Sequence, residues 1–120
     1  MMDLKEWRKK TAKTSGALVR MRQQSYSDGV LPGKHKLLMA LAISAIIKCE
    51  PCVKGYVKLA YENGVTEEEL LETLDVVMTM GGCPGEEWSM IAYDYWKKLE
   101  NSIESNIEIE LNNDKEGCCD

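Results

Sequence analysis

Cys49 and Cys52 are the residues whose types and spacing carry the sharpest chemical meaning in this sequence. A C-x-x-C spacing at a helix start puts two sulfurs within reach of a disulfide. The unpaired N–H groups and positive dipole end of the first turn favour a thiolate over a thiol. The thiolate is the nucleophile in both disulfide exchange and peroxide attack, so a reversible dithiol is the direct reading. Half of a metal site and two inert buried thiols are the alternatives. A tetrahedral zinc site needs two more ligands, and the candidates, His35, Cys83 and the vicinal Cys118 and Cys119, lack ligand-like spacing. Cys83, between a glycine and a proline, reads as a small turn residue. Cys118 and Cys119 read as exposed tail residues, or as a shuttle pair that receives or supplies electrons.

The elements that must position the pair are helical. Asp3 is a plausible N-cap, and Leu4, Trp7, Ala12, Ala17, Leu18 and Met21 recur at three-to-five spacing, which predicts one helix to about Gln24, weakened at Gly16. Ser25 to Gly33 has loop chemistry. Leu37 to Ile47 is too continuously apolar for a one-faced surface helix and is expected to be the buried central one. Pro51 lacks a backbone donor and fits best in the first turn of a new helix, so the cysteines open an element that runs to about Asn63. Gly64 ends it, and Thr66-Glu67-Glu68-Glu69 reads as an N-cap with a capping-box glutamate for a helix to about Met80. Gly81 to Gly85 reads as a turn. A last helix follows from Glu86 to about Ile103, with Trp88, Ile91, Tyr95 or Trp96, and Leu99 along one side. No stretch argues for a sheet, so the fold class is all-α.

At 120 residues, 44% of them hydrophobic, the chain can bury a real core without disulfides or a structural metal, which leaves its five cysteines available for chemistry. One helical domain over residues 1–105 is expected, followed by an acidic, flexible tail over 106–120 in which the alternation Ile107, Ile109, Leu111 would also suit an extended strand. The final twenty residues hold six acids against Lys115, which accounts for the whole net charge of −5. Residues 1–100 are therefore balanced and offer no dominant positive field for a phosphate backbone, so no nucleic-acid partner is expected. The longest apolar run is well short of the roughly 20 residues a spanning helix needs, and the basic N-terminus is not followed by a secretory apolar segment. No membrane partner is expected, and a reducing cytoplasm is the default compartment.

Beyond the cysteine spacing, the lead-in LPGKHKLLMALAISAIIKCEPC, the series Cys52, Tyr56, Ala60, Gly64, the segment VTEEELLETL and the closing MTMGGCPG occur in an order that resembles the carboxymuconolactone decarboxylase and alkyl hydroperoxidase D-like family. The resemblance covers about Leu31 to Gly85. It implies a helical hairpin unit that assembles into homo-oligomers, trimers or hexamers. It also implies hydroperoxide reduction, or dithiol–disulfide exchange, through the cysteine pair, with a thiol-based electron donor and no cofactor. In the peroxidase branch the second cysteine attacks the peroxide and the first condenses with the resulting sulfenic acid, which makes Cys52 the peroxidatic and Cys49 the resolving candidate. That branch also uses a histidine four residues after the second cysteine and a glutamate on the preceding helix as a proton relay. Here those positions hold Tyr56 and Leu37.

Leucine cannot move a proton, and a tyrosine with an ordinary pKa near 10 is a poor base at neutrality, although its hydroxyl can donate to a thiolate or a peroxide oxygen. The resemblance with this departure implies a slower peroxidase, a general disulfide oxidoreductase, or a non-catalytic oligomeric scaffold or redox sensor that kept the fold. The acidic run Glu67, Glu68, Glu69 and Glu72 is most simply a helix N-terminus complementing its dipole, with Glu68 and Glu72 as the alternative candidates to replace the missing acid. The family's decarboxylase branch works without a cysteine pair on a lactone acid; Lys34, His35 and Lys36 near the loop are available as cations, but charges at a helix start are usually solvated and nothing in the sequence supports that activity. Trp88, Tyr93, Tyr95 and Trp96 read as core and subunit-contact aromatics.

Overall fold

The structure, a computed structural model, describes residues 1–116, with side chains described through Glu104 and at Asn106. Its five helices are α1 (Leu4–Lys10), α2 (Ala12–Ser25), α3 (Gly33–Ile46), α4 (Glu50–Glu62) and α5 (Glu67–Glu116), and there is no strand among the described residues. The expected all-α class is what the chain adopts. It divides into two compact units, Met1–Lys36 and a second that begins at Leu37.

In the first unit the single helix expected from Asp3 to Gln24 is two, and the break falls at Thr11, not at Gly16. The Thr11 backbone leaves helical geometry (φ −115°, ψ 33°), and its hydroxyl donates to the Trp7 carbonyl at 2.9 Å while sharing a 2.7 Å bond with Ser15. A threonine hydroxyl that bonds an i−4 carbonyl competes with the backbone ladder and bends a helix locally. Asp3 occupies the N-cap without a side-chain bond, and neither helix buries a residue. In the loop that follows, the Asp28 carboxylate accepts the Gly33 N–H at 2.7 Å and so ties the turn to the start of α3.

The core of the second unit is assembled from one stripe per helix. On α3 it is Leu37, Leu41, Ser44 and Ala45, and on α4 Val53, Val57 and Ala60. The opposite side of α3 stays open: Met39, Ile43 and Ile46 are exposed, as is Ile47 just past its end, so α3 is not the fully buried central helix its composition predicts. On α5 the chain doubles back at Gly82, whose φ of 62° and ψ of −143° are open to glycine and very few other residues. The break is one residue long, and Cys83, Pro84 and Gly85 already belong to the returning helix. The two arms, 67–81 and 83–116, run antiparallel. Ser89 donates to the Leu74 carbonyl near the bend, and Tyr93 and Lys97 reach Glu67 at the far end. Leu70, Leu74 and Val77 on one arm face Ala92 and Trp96 on the other within a single apolar cluster. Burying each Leu or Val in such a cluster contributes about 1.5–3 kcal/mol. The backbone stays helical to Glu116, so Ile107, Ile109 and Leu111 lie on a helix and not on an extended strand.

The expected caps form. Thr66 and Glu69 exchange reciprocal bonds (2.9 and 3.2 Å) that satisfy two free N–H groups at the start of α5. Gly64 sits at positive φ while the Val65 N–H bonds the Ala60 carbonyl and the Gly64 N–H bonds that of Tyr61, a Schellman ending for α4.

One surface network makes stability depend on pH. Glu67 accepts from Lys97 at 2.6 Å and from Tyr93 at 3.1 Å, and these bonds, the Lys97 one first, hold its carboxyl below the ordinary value. A lowered folded pKa contributes stability that is complete above the unfolded value and is lost as pH falls through the folded one. The thermal midpoint of wild type should therefore exceed that of Glu67→Gln near neutral pH, with the gap closing below about pH 4 and shrinking in high salt. A gap that stays constant across that range would show the network to be electrostatically idle.

Candidate redox site at the start of helix α4

The connection between α3 and α4 is only three residues long, and its geometry places the cysteines. The Cys49 N–H bonds the Ser44 carbonyl at 3.0 Å and the Lys48 N–H bonds that of Ala45 at 3.1 Å, a Schellman ending whose left-handed position is Lys48 (φ 58°). A lysine there carries a backbone cost of roughly 1–2 kcal/mol that a glycine would not. Cys49 is at once the residue after that turn and the N-cap of α4, with an extended backbone (φ −96°, ψ 94°). Glu50, Pro51 and Cys52 form the first turn, so the proline occupies a position whose N–H would otherwise lack a helical partner.

Cys49 and Cys52 are joined as a disulfide with their Cα atoms 5.2 Å apart. Both are half-buried, neither lost in the core nor fully in solvent. Tyr56, one turn further along α4 on the face of Cys52, is half-buried against the apolar cluster, and Leu37 is buried at 6% exposure. Both positions where the peroxidase branch has its relay are thus built into packing. Glu68 and Glu72 are exposed and make no bond to the cysteines. Cys83 is a free, exposed thiol at the bend of α5. His35 is exposed on the first unit, and Lys34 and Lys36 are half-buried beside it. Cys118 and Cys119 lie outside the described residues. Among the described residues no group of three or more His, Cys, Asp or Glu side chains is placed to hold a metal ion.

The structure adds a group that the spacing of residues did not reveal. Glu50, the acid between the cysteines, accepts a hydrogen bond from the Tyr95 hydroxyl of α5 at 2.5 Å. Lys54 and Lys98 lie 5.9 and 5.5 Å from the centroid of the Tyr95 ring, within cation–π range. The bond to Glu50, with partial desolvation and the carboxylate's charge, raises the Tyr95 phenol above its ordinary value and keeps it a donor. An acid inside the C-x-x-C segment was visible in the sequence. Its partner, 45 residues away, was not.

A short all-helical unit with a disulfide at the N-terminus of an inner helix defines a class, and comparison with known proteins identifies it. The model of the carboxymuconolactone decarboxylase family matches residues 12–94, and the chain belongs to that family. An uncharacterised protein of the cox locus of Paracoccus denitrificans is 30% identical over 69 residues, covering 58% of this chain and 62% of that protein. An uncharacterised protein of Cupriavidus necator is 35% identical over 72 residues, covering 60% and 64%. The chain thus spans a little under two-thirds of the length of these curated relatives. Among solved structures, an apo member of the family from Legionella pneumophila is similar with a TM-score of 0.76 and 28% identity, over 79% of this chain and 85% of that one. A Thermotoga maritima member, for which involvement in an antioxidative response has been suggested, has a TM-score of 0.70 and 23% identity over 77% and 95%, a likeness of fold alone. No helix among the described residues is long and apolar enough to cross a membrane.

Proposed function

We propose that this chain is a thiol-dependent oxidoreductase that cycles Cys49 and Cys52 between dithiol and disulfide, with a hydroperoxide or a protein disulfide as oxidant. The observation that carries this reading is the bonded pair at the start of α4, half-exposed and in the first helical turn. With a hydroperoxide, one thiolate attacks an oxygen, the O–O bond breaks, and the departing alkoxide takes a proton to leave as alcohol. The resulting sulfenic acid is attacked by the second thiol, which forms the disulfide and releases water. An external dithiol then returns two electrons. Family resemblance gives the attack to Cys52 and the resolution to Cys49, with Tyr56 as a hydroxyl donor near the sulfur.

The reading includes a homo-oligomer, a trimer or hexamer, working in the reducing cytoplasm. The exposed apolar side of α3 (Met39, Ile43, Ile46), continued by Ile47 just past its end, is suited to a subunit contact. A second reading, a non-catalytic scaffold or redox sensor, is favoured by one observation: the two relay positions are occupied by packed side chains, Leu37 and Tyr56.

One assay separates the two. Hydroperoxide consumption under dithiothreitol should fall to the protein-free background in Cys49→Ser/Cys52→Ser and persist in Cys118→Ser/Cys119→Ser. Absence of turnover in wild type, with hydroperoxides and with a disulfide substrate, would leave the scaffold.

A further inference from the structure

When the Cys49–Cys52 disulfide is reduced, two thiols compete for whatever stabilises a thiolate, and the surroundings are not symmetric between them. The side chains that would act on Cys52 in the peroxidase branch are absent, since Leu37 has no titratable group and Tyr56 stands where a base would. Tyr56 can donate its hydroxyl but cannot take the thiol proton at neutral pH, so the charged stabiliser that remains is the N-terminus of α4. We propose that in this chain Cys49, and not Cys52, is the nucleophile of the reduced pair, and that the Tyr95–Glu50 hydrogen bond is what leaves the helix terminus free for it. The inference rests on the redox reading above and decides which sulfur acts first.

The backbone carries the argument. An N-cap side chain accepts from the N–H of the second or third helical residue. Cys49 is that N-cap, no side chain caps the helix, and the second residue is Pro51, which has no N–H. The donor within reach of a Cys49 thiolate is therefore the N–H of Cys52 itself. At the third helical position the side chain that finds a donor, the Glu or Gln of a capping box, reaches back to the N–H of the N-cap. For Cys52 that donor is the Cys49 N–H, and it is already given to the Ser44 carbonyl at 3.0 Å. The Schellman turn that closes α3 thus withholds from Cys52 the donor its position would use, while leaving one for Cys49.

Charge points the same way. Lys48, exposed, immediately precedes Cys49. The one acid in the turn, Glu50, would compete with a thiolate for the helix N-terminus, but its carboxylate is drawn onto the Tyr95 hydroxyl of α5. Lys54 on α4 and Lys98 on α5 flank the same ring. Tyr56 is a further titratable side chain on α4, one turn beyond Cys52, and α3 from Leu37 to Ile46 carries none. Tyr95 is a positioning residue here, acting through Glu50.

In disulfide exchange, the Cys49 thiolate attacks one sulfur of the partner disulfide, forms a mixed disulfide and expels a partner thiolate. Cys52 then attacks the Cys49 sulfur, closes the intramolecular disulfide and expels the second partner thiolate, each leaving thiolate taking a proton from water. With a hydroperoxide, Cys49 becomes the sulfenic acid and Cys52 the resolving thiol, with water released.

The test is limiting iodoacetamide on the reduced full-length wild-type protein near pH 7, with the label mapped by peptide mass. Cys49 should carry on the order of ten times the label of Cys52, the ratio that one unit of difference in thiol pKa produces. Equal labelling, or preference for Cys52, overturns the proposal. The single variants Cys52→Ser and Cys49→Ser give the pH profile of each remaining thiol, and the profile of Cys49 should lie at the lower pH. Tyr95→Phe should shift the Cys49 profile upward while leaving that of Cys52 in place, and a folded Tyr95→Phe protein with unchanged profiles would remove Tyr95 from the proposal. Labelling needs no turnover, so preference for Cys49 without turnover sinks the enzyme reading alone, and preference for Cys52 with turnover sinks this assignment alone.

Discussion

Gly85→Ala is expected to lower stability by about 3 kcal/mol or more, the upper end of what overpacking costs. A Cβ on residue 85 would sit 2.6 Å from the Val77 carbonyl oxygen, 3.3 Å from its carbonyl carbon and 3.4 Å from the Met78 Cα. All three are backbone atoms of the opposite arm of α5, so no side-chain rotation relieves the contact and the arms themselves must part. Parting them loosens the cluster that Leu74 and Val77 form with Ala92 and Trp96. The control is the same substitution at Gly55, exposed inside α4 with nothing within 4 Å of its added methyl. There alanine removes only unfolded-state freedom, and a gain of about 0.5–1 kcal/mol is expected. Urea denaturation of both variants reads the opposite signs, and a Gly85→Ala protein as stable as wild type would mean that the arms do not approach as closely as described.

That pair of glycines also marks what could be read from the sequence. Helix starts and stops were legible wherever a short-range chemical device sets them. The Thr66–Glu69 box and the Gly64 ending each involve residues within a few positions of one another, as does Pro51 in the first turn of α4. The ending of α3 was not legible, because the left-handed position is taken by Lys48 and no glycine announces it. On the returning arm Trp96 lies in the core and Trp88, Tyr95 and Leu99 pack against it as hydropathy predicts, but the innermost stripe is legible only in part, for a different reason. Its buried residues are Gly85, Ser89, Ala92 and Trp96, while Trp88 and Ile91, more hydrophobic than the first three, are only half-buried. Where two helices approach closely, small residues mark the contact and hydropathy points away from it. The cysteine pair was read from its spacing, and the family from the order of segments around it. The Glu50–Tyr95 bond spans 45 residues and depends on how the α5 hairpin packs on α4, which no local pattern encodes.

Trp96→Ala should be about as damaging as any truncation in the second unit, at roughly 3–5 kcal/mol. Trp96 is 3% exposed, and its ring meets Tyr61 of α4 edge-on with centroids 4.9 Å apart. Its indole N–H donates to Glu100 at 3.0 Å, so the polar edge is satisfied one turn further along its own helix. Truncation therefore removes the largest side chain of the core, opens a cavity between α4 and the returning arm, and frees Glu100, whose other oxygen holds Lys97. Against a total of about 5–15 kcal/mol for a domain of ordinary stability, such a loss brings the folded state near its limit. Trp96→Phe keeps an aromatic ring for Tyr61 and loses the N–H donor and part of the volume, so about 1–2 kcal/mol is expected, partly from the missing hydrogen bond. A cycle with Tyr61→Leu isolates the edge-on contact, expected at about 0.5–1.5 kcal/mol. Since Tyr61 lies near the end of α4 remote from Cys49 and Cys52, Tyr61→Leu on its own should leave the alkylation preference of the reduced pair unchanged. A change in that preference would mean that the docking of α4 along its whole length, and not its first turn, sets the reactivity of the cysteines.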